Sequence, residues 1–104
     1  MCGILALISD SKISSLNFLE FLSFIQHRGQ DSCGIAYVDL LDTNIIKYQK
    51  ANGLVKDFKD KCSIEYSKGF LGHTRYTTSG HRKSETSDKM IHPIVGSFNG
   101  NTYV

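Results

Sequence analysis

No run of this sequence reaches the roughly eighteen consecutive apolar residues that a membrane helix requires. The early apolar stretch ILALI also lacks the positive flank that marks a signal peptide. A cytoplasmic chain without a membrane partner is therefore expected. Cysteine is scarce and odd in number, with three residues at positions 2, 33 and 62, which argues against a disulfide framework and fits a reducing compartment. Proline occurs once, against six Phe and five Tyr, the balance of a chain that folds rather than one that stays disordered. An excess of charge of one sign is nearly missing, since twelve Lys and Arg against ten Asp and Glu leave +2. A nucleic-acid surface needs a clustered basic face, and the densest basic run, GHRKS, is broken at once by Glu85 and Asp88. It reads as a solvated loop, and no nucleic-acid partner is expected. The glycines form neither GxGxxG nor GxxxxGK, and His27, His73, His81 and His92 show no zinc-ligand spacing such as CxxC or HExxH. No cofactor and no metal are expected.

At 104 residues the chain has room for one small domain, and residues 1–104 are taken as that unit. CGILALIS is apolar on both faces, which suits an internal strand of a sheet, and SDSKISS is read as the turn after it. From Asn17 to Gln26 apolar residues recur at helical spacing, with Ser14 or Ser15 as cap and Asn17 with Glu20 as the competing capping box. Gly29 is the natural terminator. GIAYVD and NIIKYQ read as a hairpin joined by LLDT, with Asp42 and Thr43 in the turn. Asn52-Gly53 marks a further tight turn, KDFKDKC has helical composition, and KGFLGHTRY reads as a strand. A long polar loop, TTSGHRKSETSD, follows, then PIVGSFNG as a strand entering a turn. With only NTYV beyond it, the sheet is expected to keep an open edge, as the first half of a larger arrangement.

Three places could carry chemistry. Cys2 is either a small hydrophobe feeding a strand or, once Met1 is removed, a nucleophile whose own α-amine, with an ordinary pKa of about 7.7–8.0, serves as its base. Asn99 and Gly100, in FNG, are either a plain turn or the donors that stabilise a developing oxyanion. Arg75, in GHTRY, is either a surface or ion-paired arginine or a two-point clamp for a carboxylate. Arg28 could pair with Asp31 and pin the HRGQDS loop. Cys33 reads as a buried hydrophobe and Cys62 as incidental.

Taken in order, MCGI, HRGQDSCGIA, GHTRYTTSG, HP and NG resemble the glutaminase domain of the class II glutamine amidotransferases, members of the N-terminal nucleophile hydrolases. HRGQDS, KANGLVKDF and GHTRY are most similar to the amidophosphoribosyltransferase branch, which carries out the first committed step of purine synthesis. The resemblance spans almost the whole chain. It implies an α+β fold, the four-layer αββα sandwich, of which this chain would supply the first half. It also implies that Cys2 attacks the side-chain amide of L-glutamine and forms a thioester, releasing ammonia and then glutamate. Arg75 would hold the α-carboxylate, with Thr74 and Tyr76 lining the same pocket, and Asn99 and Gly100 would form the oxyanion hole. Arg28, Asp31 and His73 would be structural support. Two departures stand out: Phe98 occupies the place where the family typically has a histidine, and no counterpart of the acidic residue that binds the substrate α-amine is found. Three expectations follow: a truncated domain of weak activity, a small glutaminase completed by a homodimer or a second chain, or an inactive module that binds a partner through its open sheet edge.

Overall fold

The computed structural model describes residues 2–76 and 91–104. The loop read at 77–88 lies outside the described residues. The chain begins with strand β1 (Gly3–Ser14) and helix α1 (Ser15–Ser23). Ser14 caps this helix, its hydroxyl accepting from the Asn17 N–H at 3.1 Å. A 3₁₀ turn at Gln26–Arg28 leads into the hairpin β2 (Ser32–Val38) and β3 (Ile46–Asn52), followed by helix α2 (Val55–Lys61) and strand β4 (Tyr66–Arg75). Two short strands, β5 (Gly96–Phe98) and β6 (Asn101–Tyr103), form a separate hairpin.

β1 to β4 make one antiparallel sheet in the order β1-β4-β2-β3. Both helices lie on one face of it. Phe18, Leu19 and Leu22 of α1 and Val55 and Phe58 of α2 pack there with Cys33, Ile35, Tyr37 and Phe70. The Phe18 and Phe70 rings stack at 4.9 Å between centroids, and each fully buried large side chain here contributes about 1.5–3 kcal/mol. Gly72 makes room for α1, because a Cβ on it would lie 2.7 Å from the Phe18 ring. This is an α+β arrangement: one α layer on one β layer, as in part of an αββα sandwich.

The opposite face has an apolar character of its own. Ile4, Ala6 and Ile8 of β1, Leu71 of β4, and Ala36 and Val38 of β2 alternate out of phase with the helix-facing residues. Ile4 is 70% and Ile8 93% exposed. Among the described residues, those around His92, Pro93, Ile94 and Val104 border this face.

Two expectations require correction. β1 is an edge strand among the described residues, not an internal one. It also does not turn at Ser9: past an irregularity between Ile8 and Ile13 it pairs again, Ile13 with Ser67 and Ser14 with Tyr66. Such a shift lets a polar stretch continue an edge strand. In the β2–β3 connection, the Asp39 carboxylate accepts from the Leu41 and Asp42 N–H groups and pairs with Lys47 at 3.0 Å, while Asp42 accepts from Asn44 N–H. No helix among the described residues is long and apolar enough to cross a membrane.

Candidate functional site

Cys2 stands immediately before β1, exposed, at the end of the sheet where Gly3 pairs with Thr74. Its carbonyl oxygen accepts from Arg28 Nε at 3.4 Å, and its Sγ lies 4.0 Å from the Tyr76 carbonyl oxygen. Gly3 is required by space: a Cβ there would lie 2.7 Å from Thr74 Oγ1 and 3.0 Å from Ile25 Cδ1. The nucleophile candidate is thus held by its backbone while its side chain stays open to solvent.

The HRGQDS segment locks this end from the side. Gly29 is buried against the end of β4, and a Cβ on it would come within 2.5 Å of the Thr74 carbonyl carbon and 2.6 Å of Arg75 N and C. The Asp31 N–H donates to the Arg75 carbonyl at 2.9 Å, and the Asp31 carbonyl accepts from Gly53 N–H at 2.8 Å. Gln26 connects the same turn to α2: its amide nitrogen donates to the Gly29 carbonyl and its amide oxygen accepts from the Val55 N–H. That satisfies one of the backbone donors a helix start leaves over.

Arg75 ends β4 half-buried, and Tyr76 follows it. Their neighbour Thr74 is fully buried and points to the helix side of the sheet, beside Gly3 and Ile25. His73 lies on the other face, its ring 4.8 Å from that of His92. Burial, His92 and the Arg75 guanidinium together hold the His73 imidazole below its ordinary value, so it is neutral at pH 7. Arg28, Asp31, Cys2, Arg75 and Tyr76 are therefore brought together at one end of the sheet. Asn99 and Gly100 are not at that end. They form the turn between β5 and β6, with positive φ of 51° and 77°, the left-handed pair that a two-residue hairpin demands. Gly100 lines a small cleft with Thr43, Asn44 and Ile46, by the opposite end of the sheet. Phe98 is exposed.

The three thiols differ sharply. Burial, with Cys62 and Asp57 adding to it, pushes the Cys33 thiol up to about 12, and burial also raises Cys62. Cys2 is the exposed one of the three. Among the described residues, no three His, Cys, Asp or Glu side chains are grouped so as to hold a metal ion. Sequence reading passed over Gln26 and Ser32. The first looked like the last residue of a helix, and the second became notable only through the strand that pairs with it.

No family model matches the chain. It is 40% identical over 82 residues to an amidophosphoribosyltransferase of Pasteurella multocida, covering 77% of this chain and 16% of that protein. It is 35% identical over 107 residues to an amidophosphoribosyltransferase of Escherichia coli, covering 97% of this chain and 21% of that protein. A glutamine-fructose-6-phosphate aminotransferase (isomerizing) of Methanococcus maripaludis is 42% identical over 82 residues, covering 77% of this chain and 13% of that protein. The chain spans about a sixth of the length of the curated relatives it matches. The two kinds of relative match at like identity, and both belong to one group of enzymes. The chain is homologous to the class II glutamine amidotransferase domains.

Proposed function

We propose that this chain carries glutaminase-type chemistry, hydrolysing the side-chain amide of L-glutamine to glutamate and ammonia. The observation that supports this reading best is the meeting of Cys2, Arg75 and the Gly29–Asp31 lock at one sheet end in a chain homologous to glutamine-using enzymes. With Met1 removed, the Cys2 α-amine takes the thiol proton, and sulfur attacks the amide carbon. The C–S bond forms, and the C–N bond breaks as the proton passes to the leaving nitrogen, giving ammonia and a thioester. Water, deprotonated by the same amine, then cleaves the thioester, and the thiol is restored. Arg75 holds the α-carboxylate with Tyr76 beside it. Thr74, buried against Gly3, contributes by fixing the backbone at the head of the nucleophile strand. Arg28 and Asp31 hold that strand and the clamp in register, and His73 is support rather than base.

Asn99 and Gly100 are the oxyanion donors of this scheme, a role that requires their hairpin to be carried to the Cys2 end. One such donor is worth about 3 kcal/mol of barrier, so the hairpin's position governs the rate. HRGQDS, KANGLVKDF and GHTRY favour the amidophosphoribosyltransferase branch, and with it the opening reaction of purine synthesis. A second reading is favoured by the exposed Ile4 and Ile8 on edge strand β1: a second chain, or a second copy, completes the sheet. The decisive assay is glutamate and ammonia release from glutamine by the chain with Met1 shown to be absent, repeated with Cys2→Ser. Release abolished by the substitution is the expected result; release that survives it removes Cys2 as nucleophile.

A further inference from the structure

We propose that the Ser32 hydroxyl is a further substrate-holding group of the Cys2 site, donating a hydrogen bond to the α-carboxylate that Arg75 clamps. This rests on the glutaminase reading above and extends it to a residue outside the pocket named there.

The strand registers carry the placement. Ser32 pairs with Arg75 on one side and with Asn52 on the other, while Gly3 pairs with Thr74. Cys2, Arg75, Ser32 and Asn52 therefore stand on one level across all four strands. The next level, Gly3, Thr74, Cys33 and Ala51, faces the helices: Cys33 is in the core, Ala51 packs against it, and Gly3 abuts Ile25. Alternation along a strand puts the Cys2–Asn52 level on the other face. A thiol, a guanidinium, a hydroxyl and an amide thus form one polar row at the end of that face.

The dimensions fit the substrate. Adjacent strands lie ~4.8 Å apart, so the Ser32 backbone is about 10 Å from Cys2 with Arg75 between them. The four C–C bonds from the amide carbon of glutamine to its α-carboxyl carbon, at ~1.5 Å each, extend to about 5 Å. With the amide carbon on Cys2, the carboxylate arrives at Arg75 and can present its second oxygen toward Ser32.

Ser32 is also an anomaly on its own terms. It is fully buried, and its Oγ has no hydrogen-bond partner among the described residues, whereas buried hydroxyls are almost always paired. The two other buried unpartnered atoms among the described residues, Thr74 Oγ1 and His73 Nδ1, are elsewhere: Thr74 faces Gly3 on the helix side, and His73 is two residues back along β4, beside His92. Only the Ser32 hydroxyl is on the level of Cys2 and Arg75. The Asp31 N–H to Arg75 carbonyl bond, one residue before Ser32, fixes its position against the clamp.

The test is the rate of alkylation of Cys2, in the chain lacking Met1, by two reagents. One is 6-diazo-5-oxo-L-norleucine, which carries the amino-acid carboxylate; the other is iodoacetamide, which does not. The expected result for Ser32→Ala is a half-saturating diazoketone concentration raised about tenfold, the loss of one hydrogen bond to a charged group. Its limiting rate, its iodoacetamide rate and its thermal midpoint should match the parent chain. Equal diazoketone saturation in parent and variant overturns the Ser32 proposal while leaving the glutaminase reading standing. A lowered midpoint with both reagents affected also overturns it, by showing a structural partner for the hydroxyl. A parent chain that reacts with iodoacetamide but shows no saturable diazoketone labelling overturns the glutaminase reading, and this inference with it.

Discussion

Gly29→Ala offers the sharpest test of how the site is held. The added Cβ would meet three backbone atoms, Thr74 C at 2.5 Å and Arg75 N and C at 2.6 Å, none of which can rotate away as a side-chain end could. Ordinary contact needs about 3.5 Å or more, so the HRG turn must withdraw from β4 by about 1 Å. Overpacking of this kind costs about 1–3 kcal/mol, and because every atom met is backbone of β4 rather than a movable side-chain end, this case lies at the upper end. For a domain of this size that is a fall in thermal midpoint of roughly 10–20 °C. The same withdrawal stretches the Asp31 to Arg75 hydrogen bond and the Arg28 contact to the Cys2 carbonyl. Catalysis should suffer beyond stability, because a displacement of ~1 Å at a reacting group can cost about a hundredfold in rate. Gly96→Ala is the matched control: nothing lies within 4 Å of its Cβ position, and its midpoint should move by no more than the scatter of neutral surface changes. Thermal melts of both variants, with glutamine hydrolysis measured well below the midpoint, decide the matter. A Gly29→Ala chain as stable and as active as the parent refutes the close approach.

Three shorter predictions follow from other contacts. Gln26→Leu removes the bonds to the Gly29 carbonyl and the Val55 N–H at once, and leaving those groups unsatisfied should cost about 1–3 kcal/mol, read as a lower urea midpoint at unchanged slope. Acid should weaken the fold through His73. Its folded-state value lies below the ordinary 6.5 because of burial, His92 and Arg75, so the unfolded chain binds the extra proton first; stability is full above pH 6.5, declines as pH falls through the folded value, and the loss should disappear in His73→Gln. The thiols should separate by reactivity: at pH 8, Cys2 should react with a small maleimide within minutes, while Cys33, pushed up to about 12, should react only on unfolding, as counted by mass spectrometry.

Much of the helix-facing half of this fold was legible in the sequence, because its signals are local. The α1 stripe, the Ser14 cap, the β2–β3 hairpin and the β4 strand each declare themselves within a few residues. β1 shows where such reading stops. An apolar run on both faces reports that both faces carry apolar side chains: Leu5 and Leu7 packed toward the helices, Ile4 and Ile8 pointing away from them and exposed. It carries no information about lateral position, which depends on hydrogen-bonding partners, and β1 lies at an edge. The polar SDSKISS stretch reads as a turn for a related reason, since an edge strand needs no burial to keep pairing, and Ile13 and Ser14 find Ser67 and Tyr66.

The candidate site divides in the same way. Cys2 and Arg75 could be picked out singly from their chemistry, but only the antiparallel register of β1 against β4 makes them neighbours. Gly29 looked like a helix terminator, yet its φ of −168° is extended backbone open to any residue. Its requirement for glycine comes from β4, some forty-five residues later in the chain. Ser32 had no signal at all, because a serine opening a strand is unremarkable until the strand beside it places Arg75 opposite and leaves the hydroxyl buried without a partner among the described residues. Asn99-Gly100 is the converse case: the local signal for a tight turn was strong and the turn is there, but a turn type says nothing about which end of the sheet it will face. In this chain the chemistry of a residue can be read locally, whereas its membership of a site is set by strand pairing.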